Sequence, residues 1–252
     1  MTLHIIGIGL DNEKDITLKG LEYIKKAQLV YLEVYTAKLN CPLINLAKEY
    51  NKQIILADRN MVEGDNNEIL EHSKEMDVAF LVIGDPFSAT THLDMMMRAK
   101  KQSIKVTITN NASILTAVGI TGLQLYKFGK TTSVPYPEEN FKPETAYEVI
   151  KANKAMELHT LVLLDIKYDL QKFMTINEAI KILLDLEEKR KEHVFTKETL
   201  CIGCARLGSE NPRIKAGTAE QILKYDFGAP LHCLLVPGTM HFMEEEAIEM
   251  WK

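Results

Sequence analysis

The sequence is poor in cysteine, with four in 252 residues. Cys41, Cys201, Cys204 and Cys233 are too few and too irregularly spaced for a disulfide framework. Cys201 and Cys204 form a CxxC pair inside an apolar run that predicts a strand, where residues an odd number apart face opposite sides. We therefore predict buried structural cysteines rather than a zinc site completed by His232 and Cys233.

Long hydrophobic segments and targeting segments are also missing. No apolar run approaches the roughly 18 residues that a membrane helix needs. The N-terminus has no basic segment ahead of its apolar residues, and the apolar run ends at Asp11, so a signal peptide is not predicted. Together with the scarcity of cysteine, these absences predict a soluble cytoplasmic protein.

A basic excess is absent as well. The 30 basic and 35 acidic residues leave a net charge of -5, whereas a phosphate-binding surface needs a local excess of positive charge. We therefore expect no direct binding to nucleic acid. Hydrophobic residues make up 46% of the chain, which is enough for a buried core. The length is compatible with one large domain or two small ones.

Short apolar strands alternate with amphipathic helices through the first part of the chain. This alternation is typical of βαβ units and predicts an α/β fold with a mostly parallel sheet and flanking helices. The predicted strands are Leu3–Leu10, Leu29–Val34, Gln53–Ala57, Val78–Ile83 and Lys105–Thr109, and the predicted helices are Thr17–Lys26, Pro42–Tyr50, Glu68–Glu75 and Thr91–Lys101.

The second part of the chain has more widely spaced strands, which favours a mixed sheet with helices. We place the boundary so that residues 1–112 form an N-terminal α/β domain and 113–252 a C-terminal α/β domain, with an active-site cleft between them. The predicted strands here are Thr160–Asp165, Leu200–Arg206 and Leu231–Val236, the predicted helices are Ser113–Gly119, Glu144–Met156, Thr175–Lys191, Thr218–Lys224 and Glu244–Met250, and Gly129–Pro143 is predicted as turns.

Two glycine turns follow predicted strands. Gly7-Ile8-Gly9 would let a ligand approach the backbone, and Glu33 ends the next strand where a ribose-binding acid stands in dinucleotide sites. Asn12 replaces the third glycine of that fingerprint, so a ligand-free turn remains an alternative. Gly84-Asp85-Pro86 follows the most hydrophobic strand, where either a ligand-binding Asp or an ordinary turn is expected.

Motifs for nucleophilic or metal-dependent catalysis are absent from the sequence. The seven histidines show no HExxH-like pairing, and neither a Ser-His-Asp signature nor a P-loop occurs. From the residues alone, the chain is a two-part α/β protein with glycine turns that binds a nucleotide-like ligand.

Two further segments are distinctive: Ala-Thr-Thr-His92 after Gly84-Asp-Pro, and Gly122-Leu-Gln-Leu-Tyr-Lys-Phe-Gly129. They resemble the most specific segments of the diphthine synthases, a family in the tetrapyrrole-methylase superfamily of S-adenosylmethionine-dependent methyltransferases. The resemblance also covers His4–Leu10, Asp15–Gly20, Tyr31–Thr36, Asn110–Ile114, His159–Ile166, Leu200–Gly208 and Pro230–His232.

The resemblance implies both an activity and a site. The family methylates a 3-amino-3-carboxypropyl histidine on translation elongation factor 2 in diphthamide biosynthesis, with S-adenosylmethionine as donor and no metal, and is usually homodimeric. It implies that the contact at Ser88 is made through the backbone. The residues that match its donor-binding positions are Leu10, Asp85, Ser88, Ser113, Ile114, Leu164, Leu207 and His232.

The resemblance leaves the product and the general base open. The short segment from Asp165 to Thr175 is similar to archaeal members, whereas other segments are similar to eukaryotic members, which favours a methyl ester over diphthine itself. No motif marks a base among Asp85, His92 and Asp165. Lys127, Lys130 and Lys142 are candidates for contact with the carboxylate of the substrate. A tetrapyrrole methyltransferase of the precorrin type and a nicotinamide-binding oxidoreductase are the alternatives.

Overall fold

A computed structural model describes residues 1–65, 67–138 and 143–252. By its internal contacts the chain divides into two compact units, Met1–Ile114 and Leu115–Lys252. Each unit is built around its own five-stranded sheet and its own hydrophobic core.

The first unit contains a wholly parallel sheet with the strand order β3-β2-β4-β1-β5. Its central strands are continuous apolar runs, because a parallel sheet covered by helices is buried on both faces. The elements in chain order are β1 (Thr2–Gly7), α1 (Leu18–Lys26), β2 (Leu29–Glu33), α2 (Leu43–Tyr50), β3 (Ile55–Ala57), α3 (Arg59–Glu63), α4 (Glu68–Glu75), β4 (Val78–Val82), α5 (Leu93–Lys101) and β5 (Lys105–Thr109).

The second unit contains a mixed sheet with the strand order β11-β10-β12-β7-β6, in which only β6 and β7 pair in parallel. Its elements in chain order are α6 (Ile114–Ala117), which starts at the unit boundary, β6 (Thr132–Val134), α7 (Thr145–Ala155), β7 (Thr160–Leu164), β8 (Ile166–Lys167), β9 (Lys172–Phe173), α8 (Ile176–Arg190), β10 (Leu200–Ala205), β11 (Arg213–Thr218), α9 (Ala219–Ile222), β12 (His232–Val236) and α10 (Phe242–Glu249).

The predicted α/β class is confirmed, as is the contrast between a parallel and a mixed sheet. Several short elements were not predicted. The stretch Gly129–Pro143, predicted as turns, contains β6, and β11, α3 and the small β8–β9 hairpin lie where no element was predicted. β6, α3, β8 and β9 have five residues or fewer, and β11 is rich in polar residues. The hydrophobic periodicity of each is therefore weak.

Helix ends follow the local sequence. The Asn67 side chain accepts a hydrogen bond from the Leu70 amide at the start of α4, and Thr175 forms a capping box with Glu178 at the start of α8. Among the described residues, no helix is long and apolar enough to cross a membrane.

The cysteine prediction is confirmed for the CxxC pair. Cys201 belongs to the core of the second unit that packs around α8, whereas Cys204 lies outside that cluster. Cys204 is instead opposite Cys233 in the β10–β12 register. All three are buried and free of disulfides.

Candidate functional site

Three strands of the first sheet carry the predicted donor-binding residues to one edge. Parallel strands point their carboxyl ends the same way, so the loops after β1, β4 and β5 emerge side by side. Leu10 follows β1, and Asp85 and Ser88 follow β4. Ser113 and Ile114 follow β5. The fold therefore gathers five of the eight predicted residues at the carboxyl edge of this sheet.

The two glycine turns contact each other directly. The Gly84 amide donates to the Gly9 carbonyl at 2.7 Å, so the loops after β1 and β4 are paired by their backbones. A Cβ at Gly7 would lie 2.5 Å from the Gly84 carbonyl oxygen, and Gly9 has a φ of +83°. The glycines are thus required for this close approach, which leaves backbone at the edge where a ligand would bind.

The Asp85 carboxylate accepts the hydrogen bonds that order the loop after β4. One carboxylate oxygen accepts from the Phe87 amide at 3.0 Å and the Ser88 hydroxyl at 3.1 Å. The other accepts from the Asn110 side chain at 2.9 Å and the Asn111 amide at 3.3 Å. Burial would raise the pKa of this carboxyl, but these hydrogen bonds outweigh it and lower the pKa, so the group is held ionised. Its carboxylate anchors the loop.

The Asp15 carboxylate likewise anchors the loop after β1. It accepts from the Leu10 amide at 3.1 Å and the Asp11 amide at 2.8 Å. No sequence motif marked Asp15, Asn110 or Asn111 as functional, although all three fall in segments that carry the family resemblance. Polar side chains just beyond parallel strands were the available signal.

The second unit carries the other three predicted residues to one edge of its sheet. Leu163 pairs with Cys233, so Leu164 at the end of β7 lies beside the start of β12 at His232. His232 pairs in turn with Ala205 at the end of β10, and Leu207 follows two residues later.

His232 offers a free acceptor at that edge. Its Nε2 lies 3.1 Å from the Ala229 carbonyl, which can only accept, so Nε2 carries the proton. Nδ1 is then an acceptor, and it is buried with no hydrogen-bond partner among the described residues. Burial lowers the pKa of His232, which favours the neutral ring. This imidazole can therefore accept a hydrogen bond from an amino or hydroxyl group of a ligand.

The family of tetrapyrrole (corrin/porphyrin) methylases matches residues 2–223 of the chain. The chain belongs to the tetrapyrrole methylase family. It is 48% identical to the probable diphthine methyl ester synthase of Arabidopsis thaliana, over 99% of this chain and 98% of the relative. It is 49% identical to the diphthine synthase of Methanococcus aeolicus, over 97% of this chain and 96% of the relative.

Solved structures agree with the sequence relatives. A crystal structure from Entamoeba histolytica superposes with a TM-score of 0.93 at 43% identity and covers 100% of this chain and 98% of its own. A crystal structure of a diphthine synthase superposes with a TM-score of 0.91 at 35% identity and covers 100% of this chain and 96% of its own. The family resemblance predicted from the sequence is confirmed, and the protein is a methyltransferase.

Glu33, suggested as a ribose-binding acid, and Asn12, which replaces the third glycine, both have structural roles. Glu33 is fully buried, and its carboxylate accepts from the Tyr35 amide at 2.7 Å and from the Thr36 amide and hydroxyl at 2.6 and 2.7 Å. Asn12 caps a 3-10 turn through Lys14. The dinucleotide hypothesis is wrong for Glu33, because its carboxylate is fully buried and unexposed to a ribose.

Of the three lysines suggested for contact with the substrate, Lys127 is already bonded within the chain. Lys127 donates to the Glu244 carboxylate at 2.5 Å and to the Thr239 carbonyl at 2.7 Å, so it is part of the internal bonding of the second unit. Lys130 is exposed, and Lys142 lies outside the described residues. Lys127 is therefore not a free cation for a substrate carboxylate.

The candidate bases differ in their surroundings. Asp165 accepts from the Tyr136 amide at 2.8 Å. The His92 ring is buried, with Nδ1 3.2 Å from the Pro86 carbonyl and Nε2 unpartnered among the described residues. Burial lowers the pKa of His92, so its ring is neutral. Asp85 is a poor base, because four donors already stabilise its ionised form.

A pocket of about 210 Å³ opens in the first unit, and it is lined by Val62, Glu63, Thr91, His92, Asp94 and Met95. It contains none of the predicted donor-binding residues. The part of the chain that is described holds no group of three or more His, Cys, Asp or Glu residues able to bind a metal.

Proposed function

We propose that this methyltransferase uses S-adenosylmethionine to methylate a 3-amino-3-carboxypropyl histidine on translation elongation factor 2, a step in diphthamide biosynthesis that gives diphthine or its methyl ester. The observation that carries the proposal is similarity along the whole chain, at 48% identity over 99% of its residues, to a relative described as a diphthine methyl ester synthase. The Ala89-Thr90-Thr91-His92 segment resembles the diphthine synthases and argues against the alternative of a tetrapyrrole substrate.

We propose that the two sets of predicted residues bind the donor. Bound S-adenosylmethionine would supply a methyl group activated on a sulfonium. At the first edge, Asp85 and Asp15 hold backbone in place through hydrogen bonds that are already made before a ligand arrives. At the second, His232 offers a neutral acceptor in a buried setting. Such preorganised groups lower the cost of aligning a donor for in-line displacement.

The contact at Ser88 is proposed to use its backbone. Its hydroxyl donates to Asp85 at 3.1 Å, so the hydroxyl is already engaged within the loop. The amino nucleophile must lose a proton before it attacks, and no residue is assigned to take it.

A homodimer is proposed as the working form. Large apolar side chains of the second unit are exposed, among them Tyr126 at 82%, Met250 at 71% and Phe242 at 65%. They lie on segments joined through Glu244, which accepts from Gln124 and Lys127. Exposed apolar groups on packed segments support a protein–protein contact. Sedimentation equilibrium tests this proposal, and a monomer at all concentrations would contradict it.

The activity is tested by incubating the protein with S-adenosylmethionine labelled in its methyl group and elongation factor 2 that carries the unmethylated precursor. We expect label in the factor, and release of label by mild alkali would identify a methyl ester. A factor preparation that a competent enzyme labels and this protein does not would contradict the proposal. A corrinoid precursor offered in parallel tests the tetrapyrrole alternative.

A further inference from the structure

Asn111 connects the three loops that emerge at the carboxyl edge of the first sheet. Its Nδ2 donates to the Gly7 carbonyl at the end of β1 and to the Asp15 carbonyl, both at 3.0 Å. The backbone amide of Asn111 donates to the Asp85 carboxylate at 3.3 Å. One residue after β5 therefore bonds to the loops after β1 and β4.

The side chain of Asn111 has no donor left for a ligand. A primary amide carries two N–H groups, and both point to carbonyls within the chain. Its Oδ1 accepts from the Ala112 amide at 2.7 Å. Any effect of this side chain on the methyl donor must therefore act through the loops that it holds.

A short chain of contacts links Asn111 to a predicted donor-binding residue. Asn111 fixes the backbone of Asp15, and the Asp15 carboxylate accepts from the Leu10 amide at 3.1 Å. The fit is tight, because a Cβ at Gly9 would lie 2.3 Å from Cβ of Asp15. A shift of Asp15 would consequently move the turn that contains Gly9 and Leu10.

We propose that Asn111 is a positioning residue for the methyl donor: it holds the Leu10 turn and the Asp85 loop in the arrangement that binds S-adenosylmethionine. The inference rests on the proposed function. An amide is required, because both carbonyl partners accept and only a group with two N–H donors satisfies them. Aspartate has the same shape but would direct an oxygen at two carbonyl oxygens.

The test compares Asn111→Asp with the matched variant Asn153→Asp. Asn153 is a buried bridging asparagine of the second unit whose Nδ2 donates to the Lys130 carbonyl at 2.9 Å and the Thr160 hydroxyl at 3.0 Å. Calorimetry with S-adenosylhomocysteine is run below the melting temperature of each variant. We expect Asn111→Asp to raise Kd about tenfold or more, and Asn153→Asp to lower the melting temperature with Kd within about twofold.

A Kd for Asn111→Asp within about twofold of the unmodified protein would overturn the inference, as would equal weakening by Asn153→Asp. Failure of the unmodified protein to bind S-adenosylhomocysteine would instead reject the proposed donor site, and with it the role of Asn111. If Asn111→Asp does not fold, Asn111→Ala replaces it. Amide hydrogen exchange at Leu10 and Asp11, which donate to Asp15, should then accelerate, and unchanged exchange would contradict the coupling.

Discussion

Buried carboxylates serve different purposes in the two units. In the first, Asp85 lies beyond the end of a strand and accepts from loop residues at the carboxyl edge. In the second, Glu244 and Glu187 are buried on helices and accept hydrogen bonds from groups of the same unit. A carboxylate saturated with hydrogen bonds thus orders the proposed donor-binding edge in the first unit and stabilises the fold of the second.

The largest effect is expected at Glu244. Its carboxylate accepts from the Gln124 and His241 amides, Lys127 and His159, and these bonds overcome burial to lower its pKa to about 2. Glu244→Ala leaves a lysine and a buried imidazole without their partner, so we expect a loss of about 3–5 kcal/mol in the free energy of unfolding. Urea unfolding followed by fluorescence of the single tryptophan, Trp251, measures it.

The matched control is Glu246→Ala, an exposed position on the same helix, where a change within about 0.5 kcal/mol is expected. If both variants lose the same stability, the internal role of Glu244 is wrong.

The stability of the protein at low pH should depend on a second structural carboxylate, that of Glu187. Burial would raise the pKa of Glu187, but the amides of Phe195, His193 and Val194 and the Tyr147 hydroxyl lower it from 4.5 to about 2. Because the folded pKa lies below the unfolded one, Glu187 contributes stability above pH 4.5 and loses it as pH falls towards 2. Glu187→Gln should therefore flatten the acid limb of a stability–pH curve.

The comparison for this prediction is Glu188→Gln, an exposed neighbour on α8. A Glu187→Gln curve that parallels both this variant and the unmodified protein would argue against the linkage.

At Asp85 we expect a smaller effect on the free energy of unfolding than at Glu244 and a larger effect on ligand binding. Asp85→Asn places an amide among four hydrogen-bond donors, so the loop must rearrange. We expect the rise in melting temperature produced by saturating S-adenosylhomocysteine to shrink, consistent with a roughly 10–100-fold weaker Kd.

Asp94→Asn changes an exposed acid of α5 and serves as the control. Equal ligand stabilisation in Asp85→Asn and Asp94→Asn would remove the distinction between an edge carboxylate and an ordinary one.

The smallest effect is expected at Ser88. Its hydroxyl is one of four donors to Asp85, so Ser88→Ala should change the Kd for S-adenosylhomocysteine by about threefold at most. Calorimetry measures the difference. A loss of more than tenfold would show that the hydroxyl contacts the donor directly, contrary to the backbone contact that we propose.

The sequence predicted the elements with strong hydrophobic periodicity, and it predicted their boundaries to within a few residues. It did not predict β11, whose Arg213 and Lys215 alternate with less polar residues at the edge of a sheet. It also did not predict β6, which has only three residues. β11 pairs with β10 and β6 pairs with β7, so each is stabilised by a strand outside its own weakly patterned segment.

The candidate donor site, like the fold, could be predicted from the sequence only in part. Family resemblance named residues such as Leu10 and His232, and the carboxyl-edge rule explains why those of the first sheet gather. The roles of Asp15 and Asn111 depend on which carbonyls and amides the fold brings within 3 Å or so, and no spacing in the sequence encodes that distance.

We propose that the carboxyl edge of the first sheet binds the methyl donor. Titration calorimetry of S-adenosylhomocysteine against the unmodified protein, Asp85→Asn and Glu246→Ala tests it most directly. We expect a single binding isotherm that Asp85→Asn weakens about tenfold or more and that Glu246→Ala leaves unchanged. An unmodified protein that shows no binding heat at any temperature, or an Asp85→Asn variant that binds as tightly, would contradict it.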